Sequence, residues 1–253
     1  MSVRIDKHEH VGTVILDRPE ARNAVDRPTA EALHDAFLEL DADDEVRVCV
    51  LWGSAGTFCS GADLKAIGTD TMNRVERDGA GPMGPTRLAM SKTVIAAIEG
   101  FSVAGGLELA LWCDLRVAAE SATFGVFCRR WGVPLIDGGT VRLPRIVGQG
   151  HAMDMILTGR EVTAGEAQIM GLVNRIVPDG EARQQAELLA SKLSRFPQIC
   201  MRNDRRSAID SFDVSFAATM DREFALGVST IASGETSEGA GRFVDGQGRH
   251  GAY

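Results

Sequence analysis

The sequence predicts an α/β fold with a mainly parallel sheet. Two near-continuous runs of apolar and β-branched residues, "VRVCVLWG" at 46–53 and "TVIAAI" at 93–98, read as buried strands. Each is followed by a turn of small residues and then by a helical pattern, and strands alternating with helices imply βαβ units. The last third carries helical patterns alone.

Taken in order, "VRIDKHEHVGTVILD" alternates around a glycine, as a two-stranded start does. Pro28 stands near a helix start, with Leu33, Phe37 and Leu40 on one face. After the strand at 46–53, "CSGADL" reads as a turn opening a second helix, and Gly68 to Thr86 as a polar, mobile loop. After the strand at 93–98, "FSVAGG" reads as a turn and "LELALWCD" as a helix. "LRVAAES" is the next strand, followed by "ATFG". Thr163 with Glu166 three residues on forms a capping box. Residues 181–195 and about 212–232 continue the helical pattern, and a glycine-rich tail closes the chain.

Composition bounds the function. The 253 residues are 44% hydrophobic and 25% charged, ordinary for a globular protein able to bury a core without staples. Five scattered cysteines read as reduced thiols of a cytoplasmic protein. Five histidines (His8, His10, His34, His151, His250) form no HExxH, and no CxxC occurs, so no metal site is expected. A polar N-terminus and the lack of a long apolar run predict neither signal peptide nor membrane span. A net charge of −8 argues against a nucleic-acid binder.

The chemistry concentrates at two strand-to-helix turns, "FCSGADL" at 58–64 and "SVAGGLEL" at 102–109. Small residues there leave backbone N–H groups free at a helix start, and two such groups converging on one point stabilise negative charge on a carbonyl oxygen. Small residues at such turns also serve packing alone. Glu108 lies in an apolar helix, where desolvation raises a carboxyl pKa toward the range useful for proton transfer. Its position in a first helical turn equally suits the helix dipole.

"RPEARNAV", "FCSGADL", "IEGFSVAGGLELALWCDLRVAAESATFG", "RLPRIVG", "LTGREVTAGEA" and "GLVNRIVP", in this order between about residues 11 and 180, resemble the crotonase (enoyl-CoA hydratase/isomerase) superfamily. The resemblance implies a repeated ββα superhelix as the core at 1–190, carrying an acyl-CoA site, and a helical region at 191–253 that builds homotrimers or hexamers. It implies an acyl-CoA thioester substrate of fatty acid metabolism, with coenzyme A entering as part of the substrate and no other cofactor. The backbone N–H groups of Ala62 and Gly105 would polarise the thioester carbonyl. Arg22, Ala24 and the turn Ala62, Asp63, Leu64 would line the CoA site, Arg22 being either a phosphate contact or a solvated loop residue. Glu108 matches the first of the two glutamates of family hydratases.

The second glutamate position holds Cys128. A thiol is a poor substitute for a carboxylate, and a small apolar filler is the plainer reading. Asp137, before Gly138 and Gly139, is either the replacement acid/base or a turn cap. Arg129 and Arg130 would steer an acidic acyl group or pair with carboxylates of the same subunit, and Trp131 would pack the acyl pocket wall or the core. The cluster Arg202, Arg205 and Arg206 reads as a solvated helix face or a CoA phosphate contact. Three activities stay open: hydration of a 2-enoyl-CoA, double-bond isomerisation with a single carboxylate, and acyl-CoA binding with little turnover.

Overall fold

The computed structural model describes residues 2–247; His250 and the end of the glycine-rich tail lie outside the described residues. The chain divides into two compact units, Met1–Ser191 and Lys192–Tyr253.

In the first unit, β1 (Val3–His8) and β2 (Val11–Leu16) form the expected antiparallel start. Helix α1 (Arg27–Ala42) follows, its first turn capped by the Asp26 carboxylate accepting from Thr29 N at 3.0 Å. Leu33, Phe37 and Leu40 are buried together, as their spacing predicts. The sheet then grows by parallel pairing through β3 (Val48–Gly53), β4 (Thr93–Ile98), β6 (Leu115–Ala119) and β9 (Arg175–Val177), in the order β1-β2-β3-β4-β6-β9. Strands β2, β3 and β4 carry almost uninterrupted burial, as strands covered on both faces do.

A second, smaller sheet lies in β5 (Phe101–Val103), β7 (Thr123–Gly125) and β8 (Val162–Thr163). Here the reading of "FSVAGG" as a turn is corrected: Phe101–Val103 is a strand, parallel to β7. Three residues are too few to show a period, and only distant pairing makes them a strand. The pattern becomes β4, β5, then α2 (Gly105–Trp112); and β6, β7, then α3 (Gly139–Thr158). Each unit sends one strand to the large sheet, one to the small sheet, and then a helix.

The turn after β3 departs from that pattern. "CSGADL" opens no helix beyond a single 3-10 turn at Leu64–Ala66. The Asp63 carboxylate accepts from Lys65 N at 3.1 Å, and the chain leaves extended at Ile67. Residues 58–62 instead run beside the small sheet, bridging Cys59 to Ser102 and Ala62 to Val25. The segment 68–84 has neither helix nor strand, but it is tied down. Asn73 Nδ2 donates to Val25 O at 3.0 Å and Pro82 O at 2.8 Å, and Gly81 and Gly84 exchange backbone bonds.

Helix α3 was not legible because Pro144 sits inside it and Gly148 interrupts it at φ 77. Helix α4 (Ala164–Ile169) has the expected Thr163 cap, and α5 (Ala182–Ser194) follows. Buried cations close two helix ends: Lys92 Nζ donates to Leu40 O and Asp43 O at 2.6 Å, and Arg116 donates to Cys113 O at 2.8 Å and Leu172 O at 2.6 Å. Each satisfies terminal carbonyls and suits the negative end of the helix dipole.

The second unit is helical: α6 (Gln198–Asp210), α7 (Phe216–Ala232) and α8 (Glu235–Val244). Glu235 accepts from Ile199 N at 3.0 Å and Cys200 N at 2.9 Å, closing the first turn of α6. No helix among the described residues is long and apolar enough to cross a membrane.

One of the tightest backbone contacts gives a stability test. A Cβ on Gly106 would stand 2.1 Å from Cys59 O, a peptide group with nowhere to move, whereas a Cβ on Gly165 in α4 meets nothing within 4 Å. Gly106→Ala is expected to cost several kcal/mol or prevent folding. Gly165→Ala should raise stability by up to about 1 kcal/mol. Thermal melts of the two variants check the contrast.

Candidate active site

The two small-residue turns meet backbone to backbone. A Cβ added to Gly61, whose φ is +100, would lie 2.9 Å from Ala104 Cβ and 3.0 Å from Gly105 N. Only glycine permits that approach in that conformation. Ala62 sits on the bridge to Val25, which Val25 N and Asp63 N close by donating to Gly61 O and Val25 O. The Ala62 N–H is not used in that ladder, and Gly105 is the first residue of α2, where a helix has no internal acceptor for its N–H. Before it, Ala104 holds φ 53 and ψ −125, an uncommon conformation for alanine, fixed by its N–H donating to Gly125 O at 2.9 Å. Met83 packs its sulfur against Gly105, 2.6 Å from where a Cβ would be.

Glu108 lies one turn further along α2 and is only 3% exposed. Its Oε1 accepts from Gly139 N at 2.8 Å and Asp137 N at 2.9 Å, two peptide groups at the entrance of α3. Among the described residues no donor reaches Oε2. Burial pushes the carboxyl up to about 7; the Gly139 bond pulls it down, and the nearby Asp137 charge adds to the rise. A Cβ on Gly139 would collide with Glu108 Oε1 at 2.9 Å, so this glycine is required for the grip.

Asp137 is buried but faces elsewhere. Its Oδ1 accepts from Met83 N at 3.0 Å and from the Thr86 hydroxyl. Burial holds its carboxyl above the ordinary range, against the opposing bonds from Thr86 and Met83. The site thus takes the Asp137 backbone N–H for Glu108 and its side chain for the segment 83–86.

Cys128 is buried in the 3-10 turn Phe127–Trp131, and its thiol is pushed up by burial and then by the Glu108 charge. The expected glutamate position is therefore near enough to Glu108 for its charge to act on the thiol. Trp131 does not pack in the core; it is 71% exposed, at the end of that turn, where Gly132 leaves in the left-handed conformation. Among the described residues, Arg129 and Arg130 make no hydrogen bond to a carboxylate. Arg129 Nε donates to Ile156 O at 3.1 Å, and Arg130 donates to Gly159 O at 2.8 Å while stacking on Phe127 at 3.9 Å. The α3 C-terminus, with its unpaired carbonyls, takes both cations.

At the other edge, Arg22 is exposed with φ 51, Ala24 is buried, and Leu64 is about half exposed. Asp63 is held by Arg18 Nη2 at 3.2 Å. Among the described residues no group of three or more His, Cys, Asp or Glu side chains is arranged to hold a metal ion. Sequence reasoning missed the Asp137 and Gly139 N–H donors, Met83 and Thr86. The Gly-Gly pair after Asp137 was the available signal for the donors; Met83 and Thr86 had none.

The Glu108 shift carries a sign for stability. Its proton is held more tightly in the native state than in the unfolded chain, so ionisation costs stability as pH rises from the ordinary carboxylate range through about 7. Glu108→Gln keeps an oxygen for both N–H donors and removes that cost. Between pH 5 and pH 8 the variant should gain on the parent by up to about 3 kcal/mol. Denaturant curves at the two pH values that shift in parallel would show that Glu108 ionises normally.

Comparison with known proteins identifies the family. Residues 6–249 match the model of the enoyl-CoA hydratase/isomerase family. The chain is 33% identical to enoyl-CoA hydratase EchA19 of Mycobacterium tuberculosis over 248 residues, covering 95% of this chain and 92% of that one. It is 32% identical to 2,3-dehydroadipyl-CoA hydratase of Escherichia coli, covering 95% and 94%. Among solved structures, enoyl-CoA hydratase EchA1 from Mycobacterium marinum superimposes with a TM-score of 0.91 at 33% identity, over 96% of both chains. With the repeated ββα core, the paired turns at Ala62 and Gly105 and this similarity along nearly its whole length, the chain belongs to the enoyl-CoA hydratase/isomerase family.

Proposed function

We propose that this protein is an enoyl-CoA hydratase that adds water reversibly across the C2–C3 double bond of a 2-enoyl-CoA thioester, with Glu108 as its proton carrier. The observation that carries the reading is the setting of Glu108. A buried carboxyl with a pKa of about 7, oriented through one oxygen, is available in both protonation states near neutrality. Relatives named as enoyl-CoA hydratases support the same reaction.

The thioester carbonyl oxygen accepts from Ala62 N–H and Gly105 N–H. Water gives a proton to ionised Glu108 as its oxygen bonds to C3, and the double-bond electrons move onto the carbonyl as an enolate. The two N–H groups stabilise that charge, so they act on the transition state more than on the substrate. Glu108 then returns the proton to C2. One carboxylate serves both halves of the addition, which suits a chain whose second glutamate position is Cys128. Asp137, its Oδ1 engaged with Met83 and Thr86, serves in this reading to hold the site, and its negative charge keeps the Glu108 proton bound more tightly.

Arg22, Ala24 and the Ala62–Leu64 turn form the proposed CoA edge, with Cys128 and Trp131 toward the acyl end, and CoA is present only as part of the substrate. The buried Cys49, Cys59, Cys113 and Cys128, thiols outside any disulfide, support a cytoplasmic protein. Assembly into trimers or hexamers is supported by the second unit. There Phe216, Met220, Phe224, Val228 and Ile231 form an exposed apolar stripe along α7.

The same proton carrier would serve a double-bond isomerase, and Cys128 in place of a second carboxylate favours that as the alternative. Incubation with a panel of enoyl-CoA thioesters in heavy water, read by mass spectrometry, separates them. The expected product is heavier by one molecule of heavy water and is lost on the order of a thousandfold in Glu108→Gln. Glu108-dependent deuterium uptake without added water assigns the isomerase instead, and binding without any reaction overturns both. The ionised form of Glu108 starts the hydration, so kcat/KM should rise with pH and level off above an inflection near 7.

A further inference from the structure

The motif "RLPRIVG" begins with a residue that the proposed chemistry leaves without a task. Arg142 sits one turn into α3, partly buried. Its Nη2 donates to Thr86 O at 2.7 Å and its Nη1 to Asp137 O at 2.9 Å. The Nη1 end of the guanidinium presses on the turn before the helix: a Cβ on Gly138, at φ +96, would be 2.2 Å from Nη1. Two chain segments far apart in sequence are thereby fastened to one planar fork.

Both segments matter to the site. The Asp137–Gly139 turn supplies the two N–H groups that grip Glu108 Oε1, and the segment 83–86 places Met83 against Gly105. The Asp137 carboxylate joins the same segments a second time, through Met83 N and the Thr86 hydroxyl. The geometry points to Arg142 as a positioning residue that fixes the orientation of Glu108 by locking the Asp137–Gly139 turn to the segment carrying Met83. The inference deepens the reading of Glu108 as proton carrier and rests on it for its catalytic meaning, though not for its structural test.

A planar fork meets two carbonyls at once, while an ammonium on a flexible stem does not hold that geometry. Loosening the turn weakens the two N–H bonds to the ionised carboxylate, which raises the Glu108 midpoint. The charged or titratable groups acting on Glu108 are Asp137, Arg142 and Cys128. Arg145, one turn along the same helix, acts on Arg142 electrostatically and makes neither of these fork contacts. The Arg142 charge itself lowers the Glu108 midpoint, so Arg142→Lys, which keeps that charge and loses the fork, separates positioning from charge, and loss of Arg145 controls for a neighbouring charge on the same helix.

The test is carbon-13 NMR of protein labelled at glutamate side-chain carboxyls, with Glu108→Gln assigning the Glu108 signal, titrated in parent, Arg142→Gln, Arg142→Lys and Arg145→Gln. The expected result is an upward shift of the Glu108 midpoint by about one pH unit in both Arg142 variants and an unchanged midpoint in Arg145→Gln. Midpoints in both Arg142 variants within about 0.3 unit of the parent, or an equal shift in Arg145→Gln, overturn the assignment. Should Arg142→Gln fail to fold, Arg142→Lys, which keeps charge and stem, carries the comparison alone. None of these titrations requires turnover, so the inference can fail while the hydratase reading stands, and the reverse. With an active substrate in hand, kcat should fall on the order of tenfold or more in Arg142→Lys while KM changes little.

Discussion

A carboxylate taken out of water must have its hydration replaced, and for Glu108 the replacement is two peptide N–H groups from the entrance of a different helix. Around that grip the rest of the site is arranged. Helix α2 must start at Gly105 to place Glu108 one turn in; Gly139 must lack a side chain to let the carboxylate approach; and the turn before α3 must be held still. The short apolar helix that carries Glu108 is buried along its length and is closed at its far end by Arg116, so a shift of the helix would break contacts at both ends.

The two sheets divide the labour. The large parallel sheet supplies the core, and the small one brings residues 58–62 and 101–105 side by side. Free peptide N–H groups arise there for a structural reason: one lies on the unused side of a bridge and the other at a helix start. The same logic supplies the donors to Glu108. The polar groups gathered here are largely main chain that secondary structure has left unpaired.

How much of this was legible follows from range of interaction. The strands at 46–53 and 93–98 and helix α1 announce themselves by local burial pattern, and the glycine turns by composition. The strand Phe101–Val103 and the helix through Pro144 and Gly148 do not, because pairing and packing with distant segments decide them. Glu108 was legible as a charge in an apolar run. The partition of Asp137 into a backbone donor facing one way and a side chain facing another was not, since a sequence does not show which atoms of a residue meet the site. Of the two readings of Trp131, pocket wall or core, the core one fails because the ring is exposed at the end of its turn, which a large aromatic in a sequence does not announce.

The grip on Glu108 has a consequence for how such a site can change. Donors that belong to the peptide backbone are not deleted by substituting a side chain, although the Asp137 carboxylate helps to hold the turn that aims its own N–H. Position 139 is held to glycine, because any side chain there would strike the carboxylate. The Glu108 carboxylate is therefore anchored by main chain, and the side chains around it act on that anchor only through the turn that carries it. A change that strains this turn is therefore felt at the carboxylate even where it removes no atom that touches it.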